Sequence, residues 1–257
     1  ADVDESAWID TLNLTANNAT DGVAVATLQA YELTSVDISG TGDVTVSAVD
    51  LVDSSPNEAG TSAADRAEEA VVVNSEDLVG ALSLTTAEAN VLNITLGAGA
   101  STGTSNTVAL GATHAGDSVT GTTGASDKVT ITEVAGTTSD LVLSEIDLLE
   151  VTSASSTDGA IDAANFTNVG TILLEGTENV TLSNIGADQG IQIGLVAADV
   201  ATLNVASGVT EVSAEYIGTA AISSATKLST DATTVNVTNS VLDSNDDPAL
   251  LTLELTA

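Results

Sequence analysis

Short runs in which an aliphatic residue alternates with Thr, Ser, Asn or Asp recur along the whole of this 257-residue chain. A period of two sends successive side chains to opposite faces, so each run reads as a strand with one apolar and one polar side. The runs are Trp8–Thr15, Val36–Ser39, Asp43–Ser47, Val91–Leu96, Val129–Thr132, Thr171–Leu174, Asn179–Leu182, Thr202–Val205, Thr234–Thr238 and Leu251–Leu255. Gly, Asn, Asp and Ser separate them, which is turn chemistry. Helix is expected in only three short stretches: Ala63 to Val73, Thr85 to Asn90, and a single turn over Asp158 to Asn165.

The apolar residues are Val, Leu, Ile and Ala. Trp8, Tyr31, Phe166 and Tyr216 are the only aromatics, and there is no cysteine. A core without large rings suits a thin, layered interior, and no disulfide can staple it. A phrase of the form Leu-x-x-Val-x-Ile, a Gly or Asn turn, then Val-Thr-Val appears at Leu33–Val46, at Val169–Leu182 and at Val200–Val212. The spacing between copies varies. This predicts stacked rungs with unequal loops, an all-β solenoid with irregular loops. A β-sandwich of one or two domains gives similar alternation and is the alternative. The expected organisation is one elongated domain over 1–257, with a subdivision near 54–80 where a loop or short helix is inserted.

Thirty-seven carboxylates face three cations, Arg66, Lys128 and Lys227, for a formal charge of −34. Salt bridges cannot neutralise such a chain, and as a compact body it repels itself. Hard oxygen ligands in excess favour Ca²⁺, which takes six to eight of them. The acidic surface excludes nucleic acid and anionic lipid as partners. No apolar run approaches the length of a membrane span.

The candidate metal ligands follow from local clustering. Asp243, Asn245, Asp246 and Asp247 lie within five residues before Pro248, and ligands at alternate loop positions can converge on one ion. Asp50 and Asp53 form a second candidate, joined by Glu58. Asp2 and Asp4, with Glu5, form a third that could share an ion with a neighbouring copy. Asp43 lies in Gly40-Thr41-Gly42-Asp43, and Asp117 and Asp127 sit in Gly-rich stretches. A solvated acidic turn explains each cluster equally well.

The stretch Leu195–Val205, with the copies beginning at Leu33 and Val169, resembles the repeats of bacterial surface-layer proteins exported by type I secretion, calcium-dependent relatives of the RTX proteins. The tail Leu251-Thr252-Leu253-Glu254-Leu255-Thr256-Ala257 is similar to the small-aliphatic tails of that class. The resemblance implies a right-handed, β-helix-like solenoid, bound Ca²⁺, an extracellular or cell-surface location, and assembly into a lattice. The signature Gly-Gly-x-Gly-x-Asp is absent; Gly40-Thr41-Gly42-Asp43 and Gly97-Ala98-Gly99 are fragments of it. Isolated loop sites are therefore expected in place of ions strung between every rung.

No catalytic constellation stands out, and the chain is not expected to be an enzyme. His114, the only histidine, lies among Gly, Ala and Thr with no nucleophile context. Acid pairs for glycoside hydrolysis are available, but sugar clefts favour aromatic platforms. A lyase acting on acidic polysaccharide needs cations that this chain lacks. The expected function is a structural subunit of a self-assembling surface layer or filament, joined through strand edges, with cell-surface polysaccharide a further expected partner. The alternatives are a calcium-binding adhesin module of a larger secreted protein and, last, a carbohydrate-active solenoid enzyme.

Overall fold

A computed structural model describes residues 11–18, 22–29, 33–50, 70–86, 91–98, 105–111, 116–123, 126–133, 141–153, 159–176, 179–194, 201–217, 225–240 and 252–256. These residues form a parallel β-solenoid, and the chain clusters into two compact units, 1–129 and 130–257.

In the first unit one series of strands stacks in parallel: β1 (Thr11–Ala16), β4 (Ser35–Gly40), β6 (Val71–Asn74), β8 (Leu92–Thr95) and β10 (Ser118–Thr120). A second series holds β2 (Val23–Val25) and β3 (Leu28–Gln29) against β5 (Val44–Asp50), then β7 (Leu82–Thr86), β9 (Ser105–Ala109) and β11 (Ser126–Glu133). Thr11 pairs with Ser35, Ser35 with Val72, Val72 with Asn93, and Asn93 with Ser118, steps of 24, 37, 21 and 25 residues. Each step is one rung. The long step contains residues 51–69, which lie outside the described residues.

Inward positions form columns of like side chains. Leu12, Val36, Val73, Ile94 and Val119 stack in one, and Val25, Val46, Leu84 and Val108 in the other. Most are at most 3% exposed. Stacking at strand spacing, ~4.8 Å, lets β-branched and leucine side chains touch above and below, so aromatics are not needed to close gaps.

The second unit repeats the plan with β12 (Val142–Ser153), β14 (Phe166–Gly176), β16 (Gly190–Ile193), β18 (Glu211–Tyr216) and β20 (Thr234–Asn239) in one sheet. The other sheet is β13 (Gly159–Asp162), β15 (Val180–Ile185), β17 (Ala201–Val205), β19 (Ala225–Ser229) and β21 (Thr252–Thr256). The inward column Val151–Leu174–Ile193–Tyr216–Asn239 passes from aliphatic through aromatic to amide. Tyr216 thus covers the last fully buried aliphatic layer of that column.

The long strands β12 and β14 bend. Glu145 and Asn168 adopt left-handed backbone, φ 57° and 53°, at matching positions, and the Asn168 amide donates to Glu145 Oε1 at 2.5 Å. The extra residue at this bend shifts the inward phase from Leu143 to Ile146; the ladder also skips Asp147 and Gly170, between the pairs Ile146–Val169 and Leu148–Thr171, and Leu149 is again inward. Asn184, φ 56°, makes a similar irregularity between Leu182 and Ile185 in the β15–β17 ladder.

Every run read as a strand carries strand among its described residues. The helix readings are corrected. Val71–Val73 belongs to β6, because three β-branched residues fit a pleated, half-buried surface better than a helix; the rest of 63–70 lies almost wholly outside the described residues. Thr85 and Thr86 end β7, and 87–90 lie outside them. The expected turn over Asp158–Asn165 is shorter: β13 occupies Gly159–Asp162, and a 3-10 turn follows at Ala163–Asn165, capped by Asp162 Oδ1 accepting from Ala164 N at 2.9 Å.

The phrase copies do not share one phase. Leu33–Val46 runs from β4 to β5 and Val169–Leu182 from β14 to β15, whereas Val200–Val212 crosses the opposite corner, from β17 to β18. All three turns need a glycine with positive φ: Gly40 (114°), Gly176 (120°) and Gly208 (86°).

Candidate functional site

Acids and amides at the strand starts of the first unit are drawn inward. Asn106, near the start of β9, is 1% exposed, and Asp127, in β11, is fully buried. Asn106 Oδ1 accepts from Leu82 N at 2.9 Å; its amide donates to Gly97 O at 3.0 Å and to Asp127 Oδ1 at 2.8 Å. Asp127 Oδ2 accepts from Thr122 N at 2.7 Å. Asp117, 2% exposed, accepts from Leu92 N at 2.8 Å. These side chains occupy backbone groups that the turns leave over, as buried polar groups must be occupied. Asp117 and Asp127 are thereby placed as turn-holding groups of the solenoid.

Asp43 is exposed and accepts from Ala81 N at 2.9 Å, holding the next rung with one oxygen. Asp50 is in β5, but its side chain is not among those described. Asp2, Asp4, Asp53, Asp243, Asn245, Asp246 and Asp247 lie outside the described residues, as do Arg66 and His114. Among the described residues, no three His, Cys, Asp or Glu side chains gather as a metal site. No helix among them is long and apolar enough to cross a membrane. Lys227 is exposed in β19, in register between Thr202 and Glu254.

The second unit carries a groove on the outward side of β14, β16, β18 and β20. It encloses about 230 Å³ and is lined by Thr171, Gly190, Gln192, Ser213, Glu215 and Asn236, among others. Gln192 Nε2 donates to Glu215 Oε2 at 3.1 Å, and Ser240 Oγ donates to Glu215 Oε1 at 2.7 Å. The bond from Ser240, then that from Gln192, holds the Glu215 carboxyl below the usual glutamate range, against a weaker opposing effect of burial. Asn236 Nδ2 donates to Glu211 Oε1 at 2.6 Å. Sequence reading missed this groove, since Gly190-Ile191-Gln192-Ile193 is too short a run to stand out. Its signal is the alternation Gln192, Glu215, Thr238 at steps of 23 residues.

On the inward side Tyr216 is 1% exposed. Burial raises its phenol above the ordinary range, and nearby Thr226 opposes the shift; the geometry still leaves the hydroxyl without a hydrogen-bond partner.

Comparison with known proteins returned no match: no family model, no curated protein and no solved structure is similar to this chain.

Proposed function

We propose that this chain is a structural subunit of a self-assembling extracellular surface layer or filament, with Ca²⁺ between its acids. The observation that carries the reading is the last described rung of the second unit. Among the described residues β20 pairs only with β18 and β21 only with β19. Val237 on β20 is 42% exposed and Leu255 on β21 60%. A strand with apolar side chains exposed beside it is a template for another strand. Two bodies of this charge repel unless cations intervene, and carboxylates in excess select a hard divalent ion. The resemblance of Leu195–Val205 to calcium-dependent surface-layer repeats supports the same class.

The test is sedimentation and electron microscopy of the 257-residue chain in millimolar calcium chloride and in excess EGTA. Assemblies are expected with calcium, dissolving on chelation, and Val237→Lys combined with Leu255→Lys should prevent them. A solitary particle in both buffers overturns the proposal and moves the chain to the adhesin-module class.

A further inference from the structure

We propose that the outward groove of the second unit binds a neutral polyhydroxylated chain, a glycan, over Gly190. Thr171, Gly190, Ser213 and Asn236 stand in register on four successive strands, so the glycine interrupts a column of polar side chains. The fold does not require that glycine. Its φ is not positive, unlike those of Gly40, Gly176 and Gly208. A Cβ built there meets Gly170 O at 3.5 Å and Thr171 Oγ1 at 3.6 Å, ordinary contacts. The missing side chain is therefore not demanded by the turn geometry or by close packing, and its effect is to open the floor between Thr171 and Ser213. Those residues lie two strand spacings apart, roughly 9–10 Å, a gap suited to one sugar ring.

The lining chooses the ligand. Its functional groups are hydroxyls, amides and one carboxylate, with no cation. Glu215, held ionised by its two donors, repels anions. An apolar ligand finds no aromatic or wide aliphatic wall to bury against. A sugar hydroxyl can donate to Glu215 and accept from an amide or hydroxyl beside it, the pairing that vicinal diols need. The repeat of polar groups along the stacking direction fits an extended oligomer better than a single small molecule.

The experiment titrates the ¹⁵N-labelled 257-residue chain, kept in EGTA, with the neutral probes maltohexaose, cellohexaose and mannohexaose. Hexagalacturonate is the anionic control. At least one neutral probe should saturate, shifting the amides of Gly190, Gln192, Ser213 and Glu215. Gly190→Gln should weaken binding at least about tenfold, and Ser83→Gln on the outward side of the first unit should leave it unchanged. If Gly190→Gln fails to fold, Glu215→Ala is expected to weaken binding to the same degree. Two results overturn the proposal: no shift with any neutral probe, or equal or better binding of hexagalacturonate.

Discussion

Asn106→Ala should be among the most damaging single substitutions in the first unit, although the side chain is small and polar. Asn106 is 1% exposed and serves three partners at once: Leu82 N, Gly97 O and Asp127 Oδ1. Alanine reaches none of them. Leaving Leu82 N unpaired costs ~1 kcal/mol, and losing the bonds to Gly97 O, which Thr122 Oγ1 still reaches, and to Asp127 costs ~1 kcal/mol each, so the three together come to about 3 kcal/mol. The neighbouring Thr107 faces outward in register with Ser83, and Thr107→Ala should cost under ~1 kcal/mol. Urea titration followed by circular dichroism reads both, with an unchanged slope identifying a change in native stability. If Asn106→Ala costs no more than Thr107→Ala, the buried amide is not holding the corner and the reasoning fails.

Gly40 and Gly208 make a matched pair. At Gly40, φ is 114° and a Cβ would lie 2.2 Å from Ala16 O, the acceptor of both Thr41 N and Gly42 N; Gly40→Ala should cost about 3–5 kcal/mol. At Gly208, φ is 86° with nothing within 4 Å, so Gly208→Ala should cost only about 1 kcal/mol, and equal urea midpoints for the two would contradict this account. Tyr216→Phe removes a buried hydroxyl that has no partner and should raise stability by up to ~1 kcal/mol; a clear loss instead would reveal a bond to that oxygen. Ser240→Ala removes the main cause of the low Glu215 pKa, so carboxyl ¹³C titration should show that group moving up. Because Glu215 titrates lower folded than unfolded, its stabilising effect is present above the unfolded pKa and lost as pH falls through the folded one; an unmoved titration in Ser240→Ala would refute the assignment.

The strands were legible where alternation was clean and long. Val91–Leu96 and Thr234–Thr238 show an apolar residue at every second position, and both are strands. The segment Val142–Ser153 was not legible. Its buried Leu143, Ile146 and Leu149 recur every three residues, a helix-like spacing, and two irregularities, at the left-handed Glu145 and at Asp147, reconcile that pattern with a strand. Val71–Val73 misled through the helix-forming composition before it. The groove escaped notice because it is made by a side chain that is absent, at Gly190, between neighbours 19 and 23 residues away.

The sequence by itself determined that this is a β protein of aliphatic layers, that glycine turns its corners, and that its surface is a polyanion. Those properties are set within a few residues, by backbone sterics and by side-chain period. Tertiary structure decided that the strands stack in parallel as a solenoid, since alternation is the same in a sandwich. It also decided that Asn106 and Asp127 turn inward to hold a corner while Glu215 turns outward to line a groove. Each of these outcomes depends on which residue lies one rung above and below, and that neighbour is set by packing across about twenty residues of intervening chain, beyond the reach of any local pattern.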